Sequence, residues 1–356
     1  MRLIFTIFSF YVCLACLQAQ PTHLPLDSST LANAPEYISL EDAMKAGPLK
    51  VYKLRLNFRK LKELPQAIFQ FRNLQVLECS QNQLTSLPAK IKQLTNLTVL
   101  LCWSNPLTAL PTEIGKLANL KVLWCFENQL TNLPAGLWDL TNLTELRCSN
   151  NSLINLPAKI GKLANLKVLD CSSNQLVTLP TELYNLSKLT ELNCCCNSLT
   201  NLPAEIGKLA NLKALDCWDN SLTALPTEIG KLANLKVLEC SNNLLSALPA
   251  EIGKLANLEV LYCANNSLTN LPTEIRKLAN LTLFNCSGNQ LTTLPAEVGK
   301  AVNLMYLWCE RNQLTTFPAE IGQLTKLKGL YCWNNLFSIQ EKERIKKLLP
   351  KCQVSF

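Results

Sequence analysis

Three adjacent cysteines, Cys194, Cys195 and Cys196, have the spacing in this sequence that most directly suggests chemistry, because neighbouring thiols can bind a metal ion or react with electrophiles. Cys194 also belongs to a longer series, in which 12 of the 17 cysteines follow one another at intervals of 23 residues. The members of this series are Cys79, Cys102, Cys125, Cys148, Cys171, Cys194, Cys217, Cys240, Cys263, Cys286, Cys309 and Cys332. The ligands of a metal ion must converge on one point, so an evenly spaced line of thiols argues against a metal site.

Residue types used in catalysis are scarce in this chain. Its one histidine, His23, lies N-terminal to the cysteine series, which excludes Ser-His-Asp and Cys-His catalysis within that series. The sequence contains no P-loop, no dinucleotide-binding glycine pattern and no zinc motif. Asp170, Glu191 and Asp216 leave a carboxylate-based hydrolase as a remote alternative. We predict that the protein is not an enzyme and uses no cofactor and no metal ion.

The cysteines and carboxylates belong to a 23-residue repeat, which determines where they lie in the fold. Its pattern is Leu-x-x-Leu-x-Cys-x-x-Asn-x-Leu-x-x-Leu-Pro-x-x-Ile-x-x-Leu-x-Asn, and about thirteen copies lie between Val51 and Ile339. The pattern resembles the leucine-rich repeat family, in particular the 23-residue class with Leu-Pro-x-x-Ile-Gly-x-Leu, and is similar to secreted bacterial repeat proteins and to Ras-suppressor-like and Erbin-like scaffolds. The resemblance covers roughly four-fifths of the chain. It implies a recognition scaffold.

The repeat predicts an α/β fold, a right-handed and horseshoe-shaped leucine-rich repeat solenoid. We expect a parallel β-sheet on its concave side, short helical or irregular segments on its convex side, and helical end caps. Strand side chains alternate, so in Val122-Leu123-Trp124 only Leu123 should point inward. Pro134 cannot donate to a strand ladder and begins the return segment. Each coil then buries its apolar face only against its neighbours.

Two columns of residues are predicted to lie inside the coils. The cysteine column should pack as buried free thiols, because in-register strands about 4.8 Å apart hold Cβ atoms slightly beyond the roughly 3.5–4.5 Å that a disulfide requires. The asparagines from Asn82 to Asn335 should satisfy backbone groups of adjacent coils. Cys195 and Cys196 should face outward at the rim, either as exposed positions that drifted to cysteine or as reactive thiols.

The segments outside the repeat predict the organisation of the chain. Arg2 and the apolar run over residues 3–17 are typical of a signal peptide, cleaved after Ala19 or, in a lipoprotein, processed to leave a lipid anchor at Cys16. We therefore predict a secreted or cell-surface protein without a transmembrane segment. The predicted divisions are a signal peptide at residues 1–20, a flexible leader at 21–38, an N-terminal cap at 39–50, the repeats at 51–338 and a C-terminal cap at 339–356.

The outward positions of the sheet form the candidate binding surface. Five of the six tryptophans fall there, and large aromatic side chains are the usual anchors of protein interfaces. The candidate residues are Trp103, Trp124, Phe126, Arg147, Asp170, Glu191, Asp216, Trp218, Glu239, Tyr262, Tyr306, Trp308, Tyr331 and Trp333. We predict a non-catalytic scaffold that binds a protein ligand of unknown identity through its concave face.

Two alternatives to this function stay open. Aromatic side chains that flank carboxylates also suit sugar rings, so the protein could be a carbohydrate-binding adhesin or a cell-envelope lipoprotein with a glycan as partner. The aromatic side chains could instead cover one another across adjacent strands and only stiffen the sheet. A nucleic-acid partner is not expected, because the lysines behind the net charge of +8 recur on the return segments while the middle of the concave side is acidic.

Overall fold

The computed structural model describes residues 26–356. The predicted signal peptide, with its alternative processing sites at Ala19 and Cys16, and His23 lie outside the described residues. The described chain divides into two compact units. Unit 1 comprises the described residues up to Asn128 together with Pro134–Leu143, and unit 2 comprises Gln129–Leu133 and Thr144–Phe356.

Unit 1 contains two short α-helices, α1 (Ser28–Asn33) and α2 (Leu40–Ala46), in its described part. Its strands are β1 (Glu36–Tyr37), β2 (Lys53–Arg55), β3 (Val76–Glu78), β4 (Val99–Leu101) and β5 (Val122–Trp124). Consecutive strands pair in parallel and in register. The 3-10 helical segments of this unit are Pro48–Lys50, Gln66–Gln70, Ala89–Gln93, Thr112–Lys116 and Ala135–Asp139.

Unit 2 repeats the same parallel pairing between consecutive strands. Its strands are β6 (Glu145–Arg147), β7 (Val168–Asp170), β8 (Glu191–Asn193), β9 (Ala214–Asp216), β10 (Val237–Glu239), β11 (Val260–Tyr262), β12 (Leu283–Asn285), β13 (Tyr306–Trp308), β14 (Gly329–Tyr331) and β15 (Gln353–Ser355). Helix α3 (Ile339–Leu348) lies between the last two strands in sequence. The 3-10 segments are Ala158–Lys162, Thr181–Asn185, Ala204–Lys208, Thr227–Lys231, Ala250–Lys254, Thr273–Lys277, Ala296–Lys300 and Ala319–Gln323.

Each repeat therefore folds into one coil, with a three-residue strand and a one-turn 3-10 return segment. The predicted alternation is confirmed, since Leu123 is buried between the part-exposed Val122 and Trp124. The return segment begins after a proline such as Pro134, which has no N–H to leave unpaired there. These features confirm the predicted solenoid of strands and short helical segments.

The asparagine column is confirmed as an internal hydrogen-bond ladder, and Asn243 shows its pattern. The Nδ2 group of Asn243 donates to the carbonyl oxygens of Cys217 and Cys240, at 3.0 and 3.2 Å. Its Oδ1 atom accepts the backbone N–H of Leu222 at 2.9 Å. One buried amide thus bonds backbone groups of two adjacent coils, and without it the N–H of Leu222 would remain unpaired away from water.

The cysteine column is confirmed as a row of buried free thiols in all twelve coils. The thiol of Cys217 donates to the carbonyl oxygen of Glu239 at 3.2 Å, and the same oxygen accepts the Cys217 N–H at 2.9 Å. Burial raises the pKa of Cys79 to about 12 and also raises the pKa of Cys217. They are therefore protonated at neutral pH and act as small core side chains.

Close packing of the return segments explains the glycine in the Leu-Pro-x-x-Ile-Gly pattern. A Cβ atom on Gly253 would lie 2.6 Å from the carbonyl oxygen of Glu274, so a side chain at this position would require the neighbouring backbone to shift. Trp138 and Tyr184 take this place in two coils, and both side chains are buried there. The sixth tryptophan is therefore a core residue, unlike the five on the sheet.

Part of the predicted leader at residues 21–38 lies within the described residues, and its flexibility stays a prediction. From Leu26 onward this segment contains α1 and β1. The carboxylate of Asp27 caps α1 by accepting the N–H groups of Ser29 and Thr30, and β1 pairs with β2 at the end of the sheet. Neither feature follows the 23-residue period. The assignment of residues 39–50 and 339–356 as end caps stays a prediction.

Candidate binding surface

The sheet surface is defined here as the first and third residue of each strand together with the residue that follows each cysteine of the series. All fourteen predicted site residues lie on it. First strand positions hold Glu191 and Tyr306; third positions hold Trp124, Arg147, Asp170, Asp216, Glu239, Tyr262, Trp308 and Tyr331; and Trp103, Phe126, Trp218 and Trp333 follow cysteines. Their role in binding stays a prediction.

The aromatic group of unit 1 consists of Trp103, Trp124 and Phe126. The rings of Trp103 and Phe126 stack with centroids 5.1 Å apart and planes only 8° from parallel. The Trp124 ring lies 6.1 Å from that of Phe126 at an angle of 49°. All three side chains are half-buried. These rings cover part of one another, which is the geometry expected if they also stabilise the sheet.

The aromatic group of unit 2 is larger and consists of Tyr262, Tyr306, Trp308, Tyr331 and Trp333. The Trp308 ring lies at its centre, stacked on Tyr306 and on Tyr331 with centroids 5.7 Å away in both cases. Tyr262 meets the Trp308 ring edge to face at 6.3 Å. All five side chains are half-buried, so each also exposes part of its ring to solvent.

Arg311 extends this group, although it was not among the predicted residues. Its guanidinium carbon lies 4.9 Å from the centre of the Trp333 ring, in the geometry of a cation–π contact. Arg311 stands two places after Cys309, where many coils have Asn or Ser. The repeat pattern contains no signal that a side chain at this place folds over its neighbour.

An acidic row occupies the first five strands of unit 2. The third positions of β6 to β10 lie side by side and hold Arg147, Asp170, Asn193, Asp216 and Glu239. Arg147 pairs with the Glu145 carboxylate on its own strand, at 2.5 Å. Asp216 and Glu239 form no ion pair within the described residues. The row therefore carries a net negative charge.

The carboxylates of this row also hold the loops that follow their strands. Asp216 Oδ1 accepts the N–H of Trp218 at 3.0 Å, and Glu239 Oε1 accepts the N–H of Ser241 at 2.8 Å. Asp170 accepts from both the N–H and the hydroxyl of Ser172. Sequence reasoning missed this local role. Its signal is an acceptor two residues before a loop N–H, the spacing of an Asx-type turn.

Two carboxyl groups of the row hold their protons more tightly than usual. Burial raises the pKa of Asp216 to about 6, and repulsion from Asp170 adds to this effect. Burial likewise raises the pKa of Glu239 to about 7, with a smaller contribution from Asp216. A cation placed against the row would favour the ionised form of both groups.

The geometry gives little support for the hydrolase alternative. Asp170 and Asp216 stand on strands two apart with Asn193 between them, and Glu191 lies on the first-position row instead. Two surface depressions within residues 26–356 are lined by none of the fourteen predicted residues. They are lined by Glu259, Asn280, Thr282, Asn303, Met305 and Lys326, and by Gln66, Ala67, Phe69, Gln70, Arg72, Lys90 and Gln93.

Within the part of the chain that the structure describes, no three Cys, His, Asp or Glu side chains come together in a way that could hold a metal ion. The same residues contain no helix with the length and apolar character needed to cross a bilayer.

Comparison with known proteins is consistent with this architecture. A family model described as leucine-rich repeat region matches residues 33–153, 101–201, 137–221 and 192–268, and a model described as leucine-rich repeats in two copies matches residues 256–297. Comparison with curated proteins gave no match.

Three solved structures illustrate the similarity. A leucine-rich repeat protein of Leptospira interrogans is 34% identical, with a TM-score of 0.70 over 90% of this chain and 100% of that one. The internalin InlF of Listeria monocytogenes shares the fold, with a TM-score of 0.78 and 22% identity over 92% of each chain. The plant peptide hormone receptor RGFR1, solved in complex with RGF2, is 28% identical, with a TM-score of 0.64 over 80% of this chain and 51% of the receptor chain.

Proposed function

Because this chain belongs to the leucine-rich repeat family, we propose that it is a non-catalytic binding protein that holds a protein or peptide ligand on its sheet surface. The observation that carries this proposal is the aromatic group of unit 2. Core positions of the coils are filled mainly by Leu, Ile and Cys, and the rings of Trp308, Tyr331 and Trp333 lie outside them, so these rings are not needed to fill the interior. Half-exposed aromatic side chains of this kind commonly anchor protein ligands.

The ligand chemistry follows from the surface beside these rings. The acidic row lies on the same sheet as the aromatic group, and the third-position residue next to Glu239 is Tyr262. A ligand with apolar or aromatic side chains and neighbouring Lys or Arg residues would match both features. The similarity to a plant peptide hormone receptor supports a peptide-like ligand. The three structures compared are not described with a glycan, so the carbohydrate-binding alternative gains no support from them.

We further propose that the protein acts outside the cytoplasm. The support is the sequence of residues 1–20, which is typical of a signal peptide. Mass spectrometry of the mature N-terminus tests this proposal. A chain that begins at Gln20 would indicate simple secretion, a lipid-modified Cys16 would indicate an anchored lipoprotein, and an unprocessed Met1 would contradict export.

Affinity capture tests the binding proposal. The chain from Gln20 onward is compared with a Trp308→Ala/Trp333→Ala variant and with a control variant, Lys254→Ala/Lys277→Ala, altered on the return segments. A partner enriched by the first chain is then purified and its Kd measured against all three. We expect the aromatic variant to lose at least about 30-fold in affinity, since interface hot spots contribute about 2 kcal/mol or more, and the lysine control to bind normally.

Circular dichroism must show that all three chains are folded. Equal capture by the aromatic variant and the parent would contradict the proposal. A partner that proves to be a polysaccharide, with specific signals on a glycan array that Trp124→Ala abolishes, would favour the adhesin alternative.

A further inference from the structure

Cys195 and Cys196 form a pair of thiols unlike any other in the described chain. The twelve cysteines of the series are buried, whereas both members of this pair are half-exposed. They occupy the two places after Cys194, where the preceding coil has Ser172 and Ser173. Cys195 lies at the edge of the sheet surface, but neither thiol is among the fourteen candidate binding residues, and the fold does not need them, since serine fills the same places one coil earlier.

The backbone under the pair is held from both sides. The N–H of Cys195 donates to Asn193 Oδ1 at 3.1 Å, and the N–H of Cys196 donates to the carbonyl oxygen of Trp218 at 2.8 Å. The carbonyl oxygen of Cys195 accepts the N–H of Ser173 at 2.9 Å. Both side chains therefore extend from a loop that is fixed to the coils before and after it.

The two thiols belong to consecutive residues of one loop, whose Cα atoms are about 3.8 Å apart. Both side chains are half-exposed. Rotation about χ1 can bring two such neighbouring sulfur atoms to one heavy atom placed between them. The loop thus presents two half-exposed sulfur ligands on a fixed backbone.

The surroundings of the pair disfavour thiolate chemistry. The charged groups that act on it are the carboxylates of Asp170, Asp216 and Asp219, and burial together with these charges raises the pKa of both thiols. A nucleophilic or redox-active cysteine needs the opposite, a positive neighbour that stabilises the thiolate. A heavy-element centre that displaces the thiol protons does not depend on a thiolate formed beforehand.

We infer that Cys195 and Cys196 form a two-sulfur binding site for a thiophilic heavy-element centre, such as trivalent arsenic. Zinc does not fit, because its sites use three or four protein ligands and no such group exists within residues 26–356. Soft centres prefer sulfur, and some are satisfied by two sulfurs. An uncharged product is also favoured here, since a complex with net negative charge would lie beside three carboxylates.

Phenylarsine oxide is a suitable probe because it is uncharged and its arsenic accepts two sulfur ligands. The two S–H bonds and the arsenic–oxygen bond break, two arsenic–sulfur bonds form, and the oxygen leaves with both protons as one water molecule. Arsenic stays trivalent, so no oxidant or reductant is needed. The bound protein gains one phenylarsenic group per chain.

The experiment measures uptake by the folded chain with intact-mass spectrometry and compares four proteins. They are the parent, Cys195→Ser, Cys196→Ser and the control Cys352→Ser, which removes the remaining half-exposed thiol of the described residues. We expect one equivalent bound by the parent and by the control. Each single variant at the pair should bind at least about 100-fold more weakly, because the second sulfur then no longer acts at a high effective concentration.

Three outcomes would contradict the proposal that Cys195 and Cys196 form this site. Parental affinity in either Cys195→Ser or Cys196→Ser would show that one sulfur suffices. Loss of binding only in Cys352→Ser would place the reaction elsewhere. Uptake of many equivalents, accompanied by loss of the circular dichroism signal, would show that arsenic reacts with the buried series after unfolding the chain. Folding of the variants is expected because Ser172 and Ser173 occupy equivalent places.

Discussion

The inside of the coils and the sheet surface of unit 2 follow opposite rules. Inside, Asn243 and Asn266 make the same bonds one coil apart, and the distances to the Cys240 and Cys263 carbonyl oxygens of their own coils are both 3.2 Å. On the sheet surface, the third strand position of three consecutive coils holds Asp216, Glu239 and Tyr262. Each inner residue must pack against or hydrogen-bond to the adjacent coil, whereas an outer residue is exposed to solvent. Repetition therefore marks structure in this chain, and departure from repetition marks where function can lie.

The largest effect is expected from Asn243→Ala. This change leaves the N–H of Leu222 unpaired in a buried place. The carbonyl oxygens of Cys217 and Cys240 each lose one of two amide donors and keep those of Asn220 and Asn266. An unpaired buried group costs about 1–3 kcal/mol and each further lost hydrogen bond about 0.5–1.5 kcal/mol, so we expect the free energy of unfolding to fall by about 3–5 kcal/mol. Urea unfolding, monitored by circular dichroism, measures this loss of unfolding free energy.

The matched control is Asn234→Ala. This exposed amide makes one bond, to the carbonyl oxygen of Ala210 at 2.8 Å, and water can replace it. We expect a loss below about 1 kcal/mol. Equal losses for Asn234→Ala and Asn243→Ala would break the distinction between the inner ladder and the surface.

The next largest effect concerns the two half-buried carboxyl groups of the acidic row, Asp216 and Glu239. Their folded-state pKa values, about 6 for Asp216 and about 7 for Glu239, lie above the ordinary values of 3.8 and 4.5. The folded chain therefore binds their protons more tightly than the unfolded chain. This contribution to stability is complete below about pH 4 and is lost as the pH rises through 6 and 7.

The double variant Asp216→Asn/Glu239→Gln tests this sign. Its amides keep an oxygen that can accept the N–H groups of Trp218 and Ser241 but do not ionise. The variant should gain about 1–3 kcal/mol in unfolding free energy relative to the parent between pH 4.5 and pH 8. Urea unfolding at both pH values measures this gain. A difference between variant and parent that does not change with pH would contradict the assignment.

A smaller effect separates the two kinds of cysteine. Cys217→Ala removes a fully buried sulfur and should cost about 1 kcal/mol, whereas Cys195→Ala removes a half-exposed one and should stay within about 0.5 kcal/mol. Thermal unfolding of both variants checks this order. A larger loss of stability for Cys195→Ala than for Cys217→Ala would mean that the pair Cys195 and Cys196, and not the series of twelve cysteines, packs in the core.

The fold could be predicted from the sequence because its determinants recur every 23 residues. One coil, from Leu123 to Pro134, was enough to predict strand, turn and return segment, and the Asn and Cys ladders followed from stacking. Features that occur once could not be predicted in this way. The helix capped by Asp27 and the buried Trp138 depend on single residues, and the Asp216 bond to Trp218 depends on a loop conformation.

The candidate surface was predicted in outline for the same reason. Alternation along each strand determines which side chains lie on the sheet surface, and the fourteen residues occupy such positions. Their role in binding stays a prediction. How they contact one another was not predictable. The stacking of Trp103 on Phe126 and of Arg311 on Trp333 depends on side-chain rotamers, which no periodic pattern encodes.

The smallest effect tests whether the aromatic groups stabilise the sheet or are free for a ligand. A double-mutant cycle compares Trp103→Ala, Phe126→Ala and both changes together, by urea unfolding. The parallel rings 5.1 Å apart should give a coupling energy of about 0.5–1 kcal/mol. A cycle between Trp103 and Lys116, on the return segment of unit 1, should be additive within about 0.5 kcal/mol. Coupling near zero in the first cycle would mean that the stack adds nothing to stability, and the case for a binding role of these rings would become stronger, because selection for packing could then no longer explain them.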